Sequence, residues 1–145
     1  MLAKIRSITL GLLARREHSK FELENKLSNK GFALEDIKEV LKEFVAQGLQ
    51  SDHRFTESYI RMRSNKGFGP VRIKLELLER GLDKEMVGDF LASFDLDWFE
   101  LARISWVKKF GEKAPVDFKE KAKQLRYLSY KGFNNEHINE IFNSL

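Results

Sequence analysis

Arg61, Arg63, Lys66, Arg72 and Lys74 crowd a short stretch that also carries Phe68 in the glycine-rich turn Gly67-Phe68-Gly69-Pro70. Cations at this density attract an anionic partner, and an aromatic ring among them suits stacking or packing against it. Residues 54–74 hold six cations against Glu57 alone, and residues 103–131 hold nine against three carboxylates. Between them, residues 83–100 hold six carboxylates against Lys84. A polyanion such as DNA is drawn to the two basic zones and repelled by the acidic one. A protein partner of mixed charge engages both signs. Lys119, Lys123 and Arg126 follow at spacings of four and three, which puts them on one helix face. That stripe reads equally well as an ordinary solvated face. Phe68 reads either as a contact for a partner or as a ring folded back over the helix junction.

No pattern for catalysis accompanies these cations. His18, His53 and His137 lie far apart without metal-ligand spacing, and read as exposed or helix-end residues. Gly67-Phe68-Gly69 is no dinucleotide fingerprint: it follows no strand, and Pro70 removes an amide that would face a phosphate. Asp83, Asp97 and Asp117 are accounted for as helix caps. The chain has no cysteine, which excludes disulfides and thiolate metal sites. No catalytic residue, metal or cofactor is expected. Charges interrupt the N-terminal apolar run, Met1-Leu2-Ala3-Lys4-Ile5-Arg6, before it reaches the length of a signal sequence. No stretch is long enough to cross a bilayer. A cytoplasmic protein without a membrane contact is expected.

The elements that must position these residues repeat three times. Lys30-Gly31-Phe32, Arg80-Gly81-Leu82 and Lys131-Gly132-Phe133 each end one apolar periodic stretch and precede another, about 50 residues apart. The register extends to Leu27, Leu77 and Leu128 before the glycines, and to Ile37, Val87 and Ile138 after them. Apolar spacings of three and four run through nearly the whole chain, and nothing alternates with the period of a strand. Ser19-x-x-Glu22 and Asp97-x-x-Glu100 read as capping boxes, Asp52 as an N-cap, and Pro70 as the first residue of a helix. Phe55, Tyr59 and Met62 form the apolar stripe of the fourth helix. The fold class is all-α: three tandem three-helix repeats, over 1–50, 51–95 and 96–145, forming an elongated, curved helical array.

Two segments carry more than generic helices. Asp52-His53-Arg54-Phe55 is followed by Tyr59, Arg63 and then Gly67-Phe68-Gly69-Pro70-Val71-Arg72-Ile73-Lys74-Leu75-Glu76-Leu77; the second segment is Phe94-Asp95-Leu96-Asp97-Trp98. This resembles the RecX family, bacterial regulators of the RecA recombinase, over nearly the whole chain. Ser51 and Thr56 depart from the family pattern without threatening cap or core. The resemblance implies a regulator, not an enzyme, built from three-helix repeats. It implies binding to RecA and to its filament on single-stranded DNA, with loss of ATPase, strand-exchange and coprotease activity. Recombination, DNA repair and the SOS response are thereby restrained. The expected contact residues are Arg61, Arg63, Lys66, Phe68, Arg72 and Lys74, with Lys119, Lys123 and Arg126 as a second surface. Arg54 reads alternatively as an ion-pair partner holding a repeat junction. Weak direct DNA contact and a monomeric state are expected. The alternative is a helical-repeat protein that binds nucleic acid directly through its basic faces.

Overall fold

The computed structural model describes all residues, Met1–Leu145. Nine helices make up the chain: α1 (Leu2–Arg15), α2 (Lys20–Asn29), α3 (Leu34–Ala46), α4 (Asp52–Asn65), α5 (Pro70–Glu79), α6 (Lys84–Ser93), α7 (Trp98–Phe110), α8 (Phe118–Lys131) and α9 (Asn135–Asn143). There is no strand. Residue contacts gather into two compact units, Met1–Tyr59 with Leu77–Val87, and Ile60–Glu76 with Gly88–Leu145.

In the first unit, Ile5, Leu23, Leu27, Ile37, Val40, Leu41 and Phe44 form the core shared by α1, α2 and α3. Burying each such side chain contributes about 2 kcal/mol. Arg6 clamps Glu43 through two hydrogen bonds of 2.9 and 2.8 Å, tying α1 to α3. The capping box of α2 is complete: Ser19 Oγ accepts from the Glu22 amide, and the Glu22 carboxylate accepts from the Ser19 amide. Asp52 is not the N-cap of α4. Ser51 Oγ accepts from the Arg54 amide instead, and the Asp52 carboxylate accepts from the Lys20 amide at 2.9 Å and from Gln50 at 3.0 Å. An aspartate one residue into the helix is free to serve a neighbouring backbone when a serine already occupies the cap. Arg54 donates to Glu17 at 3.0 Å and to the Gly48 carbonyl at 2.7 Å, so it takes the ion-pair role.

The second unit is centred on Ala102, Trp106, Leu128, Phe133, Ile138 and Ile141. Trp106 Nε1 donates to Gln124 Oε1 at 2.8 Å, and Gln124 in turn donates to the Lys113 carbonyl, so the buried indole leaves no polar atom unsatisfied. Asp97 and Asp117 accept from the Glu100 and Glu120 amides as caps of α7 and α8. At Asp97 only this half of the expected box forms. Along α4 the buried positions are Phe55, Thr56, Tyr59, Ile60 and Ser64, while Met62 is 45 % exposed. The apolar face of α4 therefore turns through Ile60 and not through Met62.

The recurring glycines do more than stop helices. In the first unit the start of α2 sits on the end of α5: Ser19 Oγ donates to the Arg80 carbonyl at 2.8 Å, and a Cβ on Gly81 would overlap the Phe21 side chain. In the second unit the start of α5 sits on the end of α8. The Gly69 amide donates to the Lys131 carbonyl at 2.7 Å, and the Val71 amide to Gly132 at 2.9 Å. Two junctions of one design thus recur, each seating a helix start on a later repeat's glycine.

His18 and His137 are buried beside helix starts; only His53 is exposed. His18 Nδ1 lies 3.0 Å from the Arg16 carbonyl and Nε2 lies 2.9 Å from Lys26 Nζ. The ring is therefore neutral, with its proton on Nδ1 and Nε2 accepting from the ammonium. Burial, with Arg16 and Lys26 adding to it, holds its pKa below the usual histidine value. Burial lowers His137 as well, and its Nδ1 accepts from the Asn134 amide at 3.4 Å. A depressed histidine stabilises the fold above its unfolded pKa of about 6.5, and this contribution is lost as pH falls through the folded value. Urea titrations at pH 7 and pH 5 will show lower stability at pH 5, and His18→Gln will reduce that difference. An undiminished difference in His18→Gln would mean that His18 carries none of the pH dependence.

Candidate partner-binding surface

The central basic segment is built around one ring. Gly67, at φ +90°, ends α4, and Pro70 starts α5 one residue after Gly69. The intervening Phe68 is half-buried, and three cations surround it. Arg63 and Lys131 each lie 3.9 Å from the ring centroid, and Arg72 lies 4.3 Å from it. Cation–π attraction of this kind contributes about 0.5–2 kcal/mol per contact. Glu76 supplies a carboxylate: Arg63 donates to both its oxygens at 2.8 Å, and Arg72 Nε donates to Oε2 at 3.2 Å. Phe68 is thus folded against the helix junction, with part of its surface open.

Arg72 also reaches α8, where it donates to the Tyr130 carbonyl at 3.3 Å and lies 4.9 Å from the Tyr130 ring. Lys119, Lys123 and Arg126 are exposed on α8, and Tyr130, four residues beyond Arg126, is 68 % exposed. Positions 119, 123, 126 and 130 form one helical stripe. The stripe therefore ends at the ring that Arg72 touches, and the two basic surfaces of the second unit adjoin there. Arg61 stands over the Phe94 ring at 5.0 Å, apart from the Phe68 cluster. Lys66 is exposed and Lys74 half-buried.

Sequence reasoning missed Glu76, Tyr130 and Lys131 as members of this surface. Lys131 had a signal: a basic residue precedes each recurring glycine, as Lys30, Arg80 and Lys131. Arg80 likewise packs over an aromatic, Tyr59, at 4.8 Å in the first unit. Burial and the nearby charges of Arg72 and Arg63 hold the Lys131 pKa below the ordinary lysine value. No cluster of histidines and carboxylates suited to a metal is present, and no helix is long and apolar enough to cross a membrane.

Three family descriptions match in order along the chain: the first three-helix domain of RecX over residues 6–44, the second over 51–91 and the third over 95–142. The chain belongs to the RecX family. The "Regulatory protein RecX" of Pseudomonas entomophila is 40 % identical over 137 residues, covering 94 % of this chain and 88 % of that relative. The protein of the same name from Legionella pneumophila strain Corby is 40 % identical over 133 residues, covering 92 % and 89 %. The crystal structure of RecX from Lactobacillus salivarius superposes with a TM-score of 0.82 at 23 % identity, over 99 % of this chain and 96 % of that one. That likeness is one of fold, and it agrees with the all-helical RecX architecture. The family is one of regulatory proteins, and the basic surface around Phe68 lies on its second and third three-helix domains.

Proposed function

We propose that this chain binds RecA, chiefly the filament on single-stranded DNA, and lowers its ATPase, strand-exchange and coprotease activities without catalysing a reaction itself. Recombination, repair and the SOS response are restrained as a result. The observation that carries this reading is the ordered match of all three RecX three-helix domains. The basic surface supports it, because a filament on DNA carries phosphates along its whole length. A bound regulator shifts the ATP cycle only through a difference in affinity between filament states. The contact is assigned to Arg61, Arg63, Lys66, Phe68, Arg72 and Lys74, with the Lys119–Lys123–Arg126 stripe beside them.

The test is a RecA ATPase assay on single-stranded DNA with this protein titrated in. Turnover is expected to fall. Unchanged turnover with both proteins folded ends the proposal. Lys123→Glu combined with Arg126→Glu reverses two exposed charges. This variant should need roughly tenfold more protein for half inhibition, the order expected when two charge contacts turn repulsive. Unaltered circular dichroism will establish that the helices persist. Normal inhibition by this variant would move the contact off α8.

A further inference from the structure

A cleft of about 420 Å³ opens in the second unit beside the Phe68 cluster. Lys66, Lys108, Lys109 and Lys131 line it, drawn from the α4–α5 turn, α7 and the end of α8. No carboxylate is in its wall, and none of these four ammonium groups forms an ion pair. Gly67 keeps the cleft open, because a Cβ there would lie 3.2 Å from Ser105 Oγ and 3.6 Å from Lys131 Nζ. Tyr127 gives one aromatic side, with Lys109 Nζ 5.4 Å from its ring. Leu101 and Ile104 give an apolar one.

Four like charges around one cavity repel each other until an anion joins them. Burial first, then the charges of Arg72 and Arg63, depress the pKa of Lys131, and Lys108 across the cleft adds to this in a lesser degree. The number and kind of cations bear on the anion. The fork of an arginine matches carboxylate and phosphate alike, whereas ammonium groups act as point charges that answer to the amount of charge brought to them, as a run of phosphates brings it. The nearby arginines, Arg63 and Arg72, are engaged by Glu76, and the cations that line the cleft are all lysines. One carboxylate would also leave most of the charge uncompensated. We infer that this cleft binds a chain of adjacent phosphate groups, with Tyr127 and the apolar side available to an attached sugar or base. Such a chain comes from a free nucleoside polyphosphate or from the backbone of a single-stranded nucleic acid. The inference stands apart from the RecA reading, because its test contains no recombinase.

The experiment is calorimetric titration of the full chain, at low salt, with inorganic tripolyphosphate, ATP and an octamer of thymidylate. Saturable binding at one site is expected for tripolyphosphate or the octamer. Lys66→Glu combined with Lys108→Glu, both at exposed positions, should weaken it roughly tenfold or more, since phosphate contacts set such affinities. Tighter binding of ATP than of the octamer identifies a nucleotide as the source. Tighter binding of the octamer, in competition with tripolyphosphate, identifies the nucleic-acid backbone. The inference fails if none of the three binds saturably, or if binding survives the double variant whose helicity is intact. It fails equally if an octamer of glutamate occupies these lysines more tightly than the phosphates do.

Discussion

Gly132→Ala will destabilise the protein by about 3–4 kcal/mol, while Gly31→Ala will cost only about 1–2 kcal/mol. Both glycines end a helix in the same repeated motif and both hold positive φ, +100° and +92°. A left-handed backbone alone costs an alanine about 1–2 kcal/mol at either position. The difference is space. A Cβ at Gly31 meets nothing within 4 Å, whereas one at Gly132 would overlap Arg72 Cβ and lie 2.8 Å from the Arg72 backbone nitrogen. The Arg72 backbone cannot yield without straining the hydrogen bonds that Gly69 and Val71 donate to Lys131 and Gly132. Urea unfolding with a common slope measures the two losses. Equal losses at the two positions would mean that the α5–α8 junction relaxes freely and that Gly132, like Gly31, merely ends a helix.

Glu76→Ala is expected to cost about 2–3 kcal/mol. Removing one partner of a fully buried ion pair costs about 3–5 kcal/mol, and partial exposure of this site lowers the figure. The Arg63, Glu76 and Arg72 side chains are 16 %, 17 % and 29 % exposed. Without the carboxylate, Arg63, Arg72 and Lys131 still face one ring and one another. The remaining repulsion is electrostatic, so added salt should recover part of the loss. Glu76→Gln keeps the shape and removes the charge, and should fall between the parent and Glu76→Ala. Stability of Glu76→Ala within about 0.5 kcal/mol of the parent, the scatter of ordinary surface substitutions, would show that the cations need no counter-charge.

A helix is a local object, and its ends and faces were legible for that reason. Leu27, Leu77 and Leu128 are fully buried at equivalent places in the three repeats, and so are Ile37 and Val87. The glycine stops, the Ser19 capping box and Pro70 at the head of α5 also involve residues within a few positions of each other. Where two local solutions compete, the sequence is ambiguous. Ser51 and Asp52 both make good caps, and the choice between them was made by the Lys20 amide, 32 residues away in the chain.

The candidate surface divides in the same way. Arg63, Phe68 and Arg72 lie within ten residues of one another, and one helix turn and one loop suffice to bring them together. Lys131, Tyr130 and Lys108 join them from α7 and α8. Their arrival depends on backbones meeting closely at Gly69 and Gly132. A glycine that ends a helix and a glycine that admits another backbone look identical in a sequence. By itself, then, the sequence determined the helices, their threefold register, the family and the basic character of two segments, because periodicity, capping and charge are properties of neighbouring residues. Only the tertiary structure decided which cations share a ring or a cleft, which histidines are buried and which glycines bear a junction, because those depend on contacts whose partners lie tens of residues apart.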